Sequence, residues 1–373
     1  MPAVNGPIYI FCGGGSGGHL YPGLAVADEL LNILPEARVV FACSSRAIDR
    51  RILGPLKHGM VVQPVVPLPR RLRDVGAFIR AWLRSRSQAR EMLKDLRAAA
   101  VLGLGGFAAA PVVRQAARAG VPTALLNPDA VPGRANRYLA RYARVIFTQF
   151  SGTRQALGDR AGKKVRHVGC PLRRGFSSAD HDDACARFGL DPQRKTLLVN
   201  GGSQGAASIN EAVFSLRSQL NDLADKWQLL HITGAVGMVE PAGRDDTGPL
   251  HAVVLEYCDR MDLAYAAADL ALGRCGASTA AELAVTNTPA VILPYPYHAD
   301  RQQRRNAEPL EEAGAAIICE DATDAAANAE TLTRYLMPLL GDAGRLEGMR
   351  KAAASLARPD AAKTVAQWLA RFA

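Results

Sequence analysis

Ile8-Tyr9-Ile10-Phe11-Cys12-Gly13-Gly14-Gly15-Ser16-Gly17-Gly18-His19 is the stretch that decides the fold. The apolar run is too short for a buried helix and reads as a strand, the glycines as a tight turn, and Leu24 to Leu31 as the helix that follows. Strand, glycine turn and helix start together make an anion site. Glycine lets the backbone approach a ligand closely, and the first turn of a helix points N–H groups at negative oxygens. A second such turn, Gly201-Gly202-Ser203-Gln204-Gly205, follows the apolar run Leu197-Leu198-Val199. One phosphate-friendly turn in each half implies a two-domain enzyme that handles an activated, phosphorylated donor.

Working outward, strand-like runs fall at 7–12, 37–42, 60–66, 99–102, 121–126 and 144–148, then again at 195–199, 228–232, 252–256, 269–272, 290–293 and 315–318, with helical patterns between them. This is the βαβ rhythm of an α/β protein with doubly wound parallel sheets. The pattern loosens over 158–192, where Asp180-His181-Asp182 reads as solvated linker. A boundary near Gly169 gives an N-terminal domain over 1–168, a second domain over 169–340 and a helical tail over 341–373, broken at Pro359 and expected to pack back on the N-terminal domain. In such sheets ligands bind beyond the carboxyl ends of the strands, where both glycine turns sit.

The bulk properties narrow the class. The chain has 373 residues, is 49% hydrophobic and carries a net charge of +10. No apolar run approaches the roughly 18 residues that span a bilayer. The first apolar run lacks a preceding basic segment, so no signal peptide is expected. The seven cysteines include no CxxC pair, which suggests neither a zinc site nor a disulfide framework, and no metal is expected. The positive charge favours an acidic partner. From Arg70 to Arg97 there are nine Arg and Lys against three acids, with Phe78, Ile79, Trp82 and Leu83 among apolar residues close to helical spacing. This 70–97 region reads as a helix packed on the sheet, as an interfacial helix meeting an anionic membrane surface, or as both. Nucleic acid is not an expected partner, because the aromatic stacking platform of such proteins is missing.

The first turn contains GxGxxG, but His19-Leu20-Tyr21-Pro22-Gly23 is unusual after a dinucleotide turn. Glu36 lies before the second strand rather than at its end, and a Walker lysine is lacking. His19 reads either as a satisfied core histidine or as a group facing the ligand, able to accept a proton from a sugar hydroxyl or to bond a phosphate oxygen. Gly103-Leu104-Gly105-Gly106-Phe107 reads as a further strand-end turn or as tight packing. Glu282, in Gly276-Ala277-Ser278-Thr279-Ala280-Ala281-Glu282, can grip two ribose hydroxyls or stand as a solvated helix acid. His298-Ala299-Asp300-Arg301-Gln302-Gln303 offers amides that bond sugar hydroxyls without adding charge.

Taken together, Gly13–Gly23 with Leu24-Ala25-Val26-Ala27, Gly105-Gly106-Phe107, Val168-Gly169-Cys170-Pro171-Leu172-Arg173, Gly201-Gly202-Ser203-Gln204-Gly205-Ala206, Arg274–Glu282, and Asp300-Arg301-Gln302-Gln303 with Asn306 resemble the MurG family over nearly the whole chain. The resemblance implies a GT-B fold, two Rossmann-like domains facing across a cleft. It implies an inverting, peripheral membrane N-acetylglucosaminyltransferase of peptidoglycan synthesis, at the cytoplasmic face of the cell membrane. The donor would be UDP-N-acetylglucosamine and the acceptor a muramyl peptide on a polyprenyl diphosphate. Ser16, Gly17 and Gly18 would line the cleft with His19 close to the chemistry. Arg173 and Ser203 would hold the UDP diphosphate, and the backbone at Cys258 the uracil. Ala277, Ser278, Thr279, Ala280, Ala281 and Glu282 would bind the nucleotide, with Glu282 on the ribose, and Gln302 and Gln303 would meet the donor sugar.

The family usually carries His-Glu-Gln-Asn after the fifth strand. Here the aligned residues are Leu126-Asn127-Pro128-Asp129. His19 is the first candidate for the catalytic base and Asp129, on this acceptor-side loop, the second. The departing UDP would be stabilised by helix N-termini, Arg173 and the hydroxyls of Ser16 and Ser203, so neither metal nor cofactor is expected. Domain closure would exclude water. The altered loop keeps two alternatives open: a paralogue of the same fold with another lipid or sugar acceptor, and a non-catalytic UDP-sugar-binding protein that docks on membranes. A UDP-N-acetylglucosamine epimerase is a further rival, though the acidic cluster of those enzymes is less evident here.

Overall fold

Runs of Val, Ile, Leu and Phe without polar alternation form strands that are covered on both faces, the signature of a parallel sheet. The computed structural model describes residues 6–69, 71–202, 204–234, 243–245, 248–298 and 300–373. The chain divides into two compact units, Met1–Arg173 with Pro359–Ala373 and Arg174–Arg358.

The first unit holds β1 (Ile8–Gly13), β2 (Arg38–Cys43), β3 (Gly59–Val62), β4 (Ala100–Gly105), β5 (Thr123–Asn127), β6 (Val145–Thr148) and β7 (Val165–His167). They lie in the order β3-β2-β1-β4-β5-β6-β7, and each pairing is parallel. The strand period of two sends Tyr9 and Phe11 to one face and Ile10 and Cys12 to the other. The first face packs with Phe41, Leu102, Leu104, Phe147 and the apolar side of α1 (Gly17–Ile33). The second packs with Val101, Leu125, Ile146 and, from α3 (Val75–Leu96), Ala89, Met92 and Leu93. Helix α1 lies directly on β4, because a Cβ on Gly23 would stand 2.5 Å from Leu104 Cδ1.

Helix α3 carries two stripes. Ser85, Ala89, Met92 and Leu93 are buried, whereas Ile79 and Leu83 are 49% and 54% exposed and, with Leu72 and Val75 before them, form an apolar stripe open to solvent. No described helix is long and apolar enough to cross a membrane.

The second unit holds β8 (Lys195–Asn200), β9 (Trp227–Ile232), β10 (Gly243–Asp245), β11 (Ala252–Leu255), β12 (Leu270–Gly273), β13 (Ala290–Ile292) and β14 (Ala316–Ile318), in the order β10-β11-β9-β8-β12-β13-β14. Only the β10–β11 pairing among these is antiparallel. In each sheet the order reverses beside the strand that feeds a glycine turn, between β1 and β4 and between β8 and β12. Ligands of doubly wound sheets bind at that switch point.

Several expectations need correcting. The stretch 158–192 is not a loose linker: it contains β7 and the helix His181–Phe188. The carboxylate of Asp180 caps that helix, accepting from Asp182 N at 2.9 Å and Asp183 N at 3.1 Å, and His181 Nδ1 lies 3.0 Å from Ala266 O. The units part between Arg173 and Arg174, past Gly169. The tail is split: the helix Ala343–Leu356 belongs to the second unit and the helix Ala361–Ala370 to the first.

Trp368 anchors that last helix, meeting Phe147 edge to face at 6.0 Å and Phe372 at 4.9 Å. Trp368→Ala is expected to destabilise the first unit by about 3–5 kcal/mol through the cavity it leaves. Chemical denaturation followed by tryptophan-independent circular dichroism checks this, and a midpoint equal to wild type would mean that the tail is not part of the core.

Candidate active site

At the carboxyl ends of β1, β4 and β5 the backbone does most of the construction. Ser16 occupies the cap position of α1 in an extended conformation, so Gly17 and Gly18 open the helix and their N–H groups lack intrahelical acceptors. The Ser16 hydroxyl does not cap the helix but lies 2.8 Å from His19 Nδ1. The imidazole leans over the end of β4, where Gly105 has φ +100° and a Cβ would stand 2.9 Å from His19 Cδ2 and 3.0 Å from Nε2. The next residue, Gly106, has φ +73°, and a Cβ there would meet Gly14 O at 2.8 Å. Gly105-Gly106 is therefore both a strand-end turn and a close-packing site, the two readings that the sequence left open. Gly103, read as turn, is part of β4.

Burial pushes the His19 imidazole below its ordinary pKa, and the negative charges of Asp129 and Asp49 oppose that shift. Asp129 sits half-buried in the loop after β5, and its carbonyl accepts from Asn127 Nδ2 at 2.6 Å. Asn136, which the sequence reading passed over, donates from Nδ2 to Leu126 O at 3.2 Å and Asn127 Oδ1 at 2.9 Å. The end of β5 and the loop after it are thus held by the amides of Asn127 and Asn136.

Asp49 was also missed. It stands on α2 (Ala47–Leu53), is fully buried, and accepts from Gly15 N at 2.7 Å. Arg46, just before α2, donates from Nη1 to Gly15 O at 3.0 Å and rests over the Phe107 ring at 5.2 Å. Arg173 belongs to the first unit, where its guanidinium lies 5.5 Å from the Tyr21 ring centroid.

In the second unit the turn after β8 is held by Asn200, whose Oδ1 accepts from Gly202 N at 2.9 Å. Ser203 lies outside the described residues. The helix Ala277–Val285 buries Ala277, Ala280 and Ala281 and leaves Ser278, Thr279 and Glu282 half-exposed. The buried Tyr265 hydroxyl hydrogen-bonds with Asn200 and Glu282, and burial, with the charge of Glu282, pushes its phenol well above the ordinary pKa. This buried phenol joins the glycine turn to Glu282, a link invisible in the sequence. Cys258 is buried, and that burial raises its thiol pKa.

Gln302 and Gln303 open the helix Gln302–Glu312. The Gln303 side-chain oxygen accepts from Tyr295 N at 2.8 Å, which ties this helix to the loop after β13. The same loop is held from below by Arg274, which donates to Leu293 O at 2.8 Å and Pro294 O at 3.2 Å and pairs with Asp321. Burial would raise the Asp321 carboxyl, but Asn328, the Thr323 N–H and Arg274 outweigh it and hold the pKa below its ordinary value. Among the described residues no cluster of three His, Cys, Asp or Glu side chains is arranged to hold a metal.

Two doubly wound units, each with a glycine turn at its switch point, make up the architecture of the GT-B class of proteins. Residues 9–148 match the glycosyltransferase family 28 N-terminal domain, and residues 196–365 match the glycosyltransferase family 28 C-terminal domain. The UDP-N-acetylglucosamine--N-acetylmuramyl-(pentapeptide) pyrophosphoryl-undecaprenol N-acetylglucosamine transferase of Nocardioides sp. is 36% identical over 367 residues, with 96% of each chain covered. The protein of the same name from Leifsonia xyli is 37% identical, again over 96% of each chain. Among solved structures, Acinetobacter baumannii MurG superposes with a TM-score of 0.72 at 24% identity, covering 98% of this chain and 99% of its own. The calicheamicin glycosyltransferase CalG4 shares the fold with a TM-score of 0.62 at 18% identity, over 98% and 99% of the two chains. The chain belongs to the MurG family of glycosyltransferases.

The buried Arg274–Asp321 pair supplies a test of how the loop after β13 is supported, since their side chains are only 10% and 0% exposed. Arg274→Met is expected to destabilise the second unit by about 3–5 kcal/mol by stranding a buried carboxylate. Arg274→Met/Asp321→Asn should recover more than half of that loss. The deficit of the single variant should also shrink as pH falls, because protonating Asp321 removes the stranded charge. A double variant as unstable as the single one in urea melts would show that Arg274 acts through packing rather than charge.

Proposed function

We propose that the chain transfers N-acetylglucosamine from UDP-N-acetylglucosamine to the muramyl sugar of an undecaprenyl-diphosphate-linked muramyl pentapeptide, with inversion at the anomeric carbon. The observation that carries this reading is the 36–37% identity to transferases of that name over 96% of both chains. The 4-hydroxyl oxygen of the acceptor attacks the anomeric carbon, the bond to the β-phosphate oxygen breaks, and UDP leaves with the electron pair. The hydroxyl proton passes to a base.

His19 is the first candidate for that base, and the local geometry supports it. With Nδ1–H donating to Ser16 Oγ, Nε2 remains an acceptor at the end of β4. Burial keeps the ring unprotonated near neutral pH, and the carboxylates of Asp129 and Asp49 stabilise the imidazolium that forms. Asp129 is the second candidate. The N–H groups of Gly17 and Gly18 suit the acceptor's diphosphate. Glu282, held by Tyr265, suits the ribose of the donor, Ala277 to Ala281 its nucleotide, and Gln302 and Gln303 its sugar. Ser203, Arg173 and the backbone near Cys258 complete the proposed donor contacts.

The protein works as a peripheral protein on the cytoplasmic face of the membrane. The exposed stripe Leu72, Val75, Ile79 and Leu83, flanked by Arg71, Arg73, Arg80 and Arg84, supports docking on anionic lipid.

Release of UDP that depends on a short-chain lipid acceptor, with a disaccharide product, tests the reaction itself. His19→Ala should lower kcat by about 10²–10⁴-fold and leave donor affinity within about threefold; if Asp129→Asn alone has that effect, the base is Asp129. The acid limb of kcat/KM should fall below the ordinary imidazole pKa of about 6.5, because the free enzyme holds His19 below that value. For docking, Ile79→Glu/Leu83→Glu should weaken binding to vesicles containing anionic lipid by at least about tenfold, given about 1.5–3 kcal/mol per buried apolar side chain. Co-sedimentation equal to wild type would remove this stripe from the membrane face.

A further inference from the structure

A buried carboxylate beside an anion-binding turn needs a reason, because its charge opposes the ligand's. Asp49 accepts from three donors: Gly15 N at 2.7 Å through Oδ1, and Ser44 N at 3.0 Å and Ser44 Oγ at 2.6 Å through Oδ2. These bonds cross-link the end of β2 to the turn after β1. From the same segment Arg46 holds the next peptide unit, donating to Gly15 O at 3.0 Å. Gly15, at φ +86°, is therefore gripped at its N–H and its C=O by two residues three apart in sequence. Ser16, the cap of α1 and the partner of His19, is the next residue.

We propose that Asp49 is the positioning residue of this turn: it fixes Gly15 so that Ser16, the helix N–H groups and His19 meet the acceptor in a single arrangement. The proposal rests on the acceptor reading given above. It also accounts for the choice of an acid. All three groups facing the carboxylate are donors, and a neutral amide cannot accept from each of them. The charged groups that act on the imidazole are Asp129 from the loop after β5 and Asp49 from α2, so removing the Asp49 charge lowers the proton affinity of His19.

The test uses the full-length protein carrying Asp49→Asn or Ser44→Ala. In Asp49→Asn the amide must turn its NH₂ toward a donor. The acceptor KM should rise and kcat fall, together about tenfold or more in kcat/KM, while the donor KM stays within about twofold. The His19 titration midpoint, read by NMR of the ligand-free protein, should move down. A folded Asp49→Asn protein with wild-type acceptor KM and an unmoved His19 titration overturns the proposal. Should that variant not fold, Ser44→Ala decides: it keeps the charge but removes the 2.6 Å bond that orients the carboxylate on Gly15 N, so a severalfold rise in acceptor KM without a shift in the His19 titration supports the proposal, whereas an unchanged acceptor KM overturns it. Wild-type protein that releases no UDP with a lipid acceptor would sink the functional reading instead, and the His19 titration in Asp49→Asn would still report on the link to Asp49.

Discussion

The first site depends on the close approach of two strand ends. Backbone from β4 must pass within van der Waals reach of the turn after β1, with an imidazole laid between them. Any side chain at Gly105 would occupy the space of the His19 ring, and any at Gly106 would strike Gly14 O. Both positions also have positive φ, where an L side chain is strained in any case. The absence of two Cβ atoms thus sets the position of His19, the opening of α1 and the spacing of β1 from β4. The same economy recurs at Gly23, which lets α1 lie on Leu104.

The two glycine turns are held by different chemistry. The first is clamped by ionic groups, Asp49 and Arg46, which approach from α2. The second is held by a neutral amide, Asn200, itself tied through Tyr265 to Glu282. A neutral support leaves the positive end of the following helix undiminished for a diphosphate. A carboxylate support weakens that field and strengthens the proton affinity of a nearby imidazole. Each arrangement suits the role proposed for its unit, donor phosphates in one and proton transfer in the other.

The sheet strands were legible because they are buried on both faces and so read as unbroken apolar runs. Where the reading slipped, a local cause is visible. The strand expected over 60–66 ends at Val62, since Pro64 and Pro67 carry no N–H for the ladder, and Gln63 N makes the last bond to Cys43 O at 2.9 Å. β7 is Val-Arg-His at a sheet edge, with a single apolar residue to betray it. The helix His181–Phe188 is short and polar, but Asp180 before it and Gly189 after it, at φ +69°, are ordinary start and stop signals that were read as linker. The motif residues His19, Glu282, Gln302 and Gln303 stand out as candidates because glycine turns and helix starts mark them. Asp49 and Tyr265 do not, because each acts on a segment distant in sequence that only the fold brings near, and Asn136, though close to its partners Leu126 and Asn127, lies in a helix with no glycine turn to mark it. Arg173 shows the converse: its motif was legible, but its place in the first unit beside Tyr21 was not.

In the proposed reaction the two acids near His19 offset part of the cost of burying its imidazole. Burial alone lowers the proton affinity of an imidazole, and a base depleted that far accepts a sugar hydroxyl proton poorly. Full exposure would leave the ring protonated for part of the neutral range and useless as an acceptor. Here burial lowers the proton affinity of the ring, and the charges of Asp129 in the loop after β5 and of Asp49 behind the turn oppose that shift. On the resemblance drawn from the sequence, Asp129 stands where an asparagine is expected. An acid there adds charge to a balance that Asp49 already supports, so in the proposed reaction it strengthens the base or replaces it.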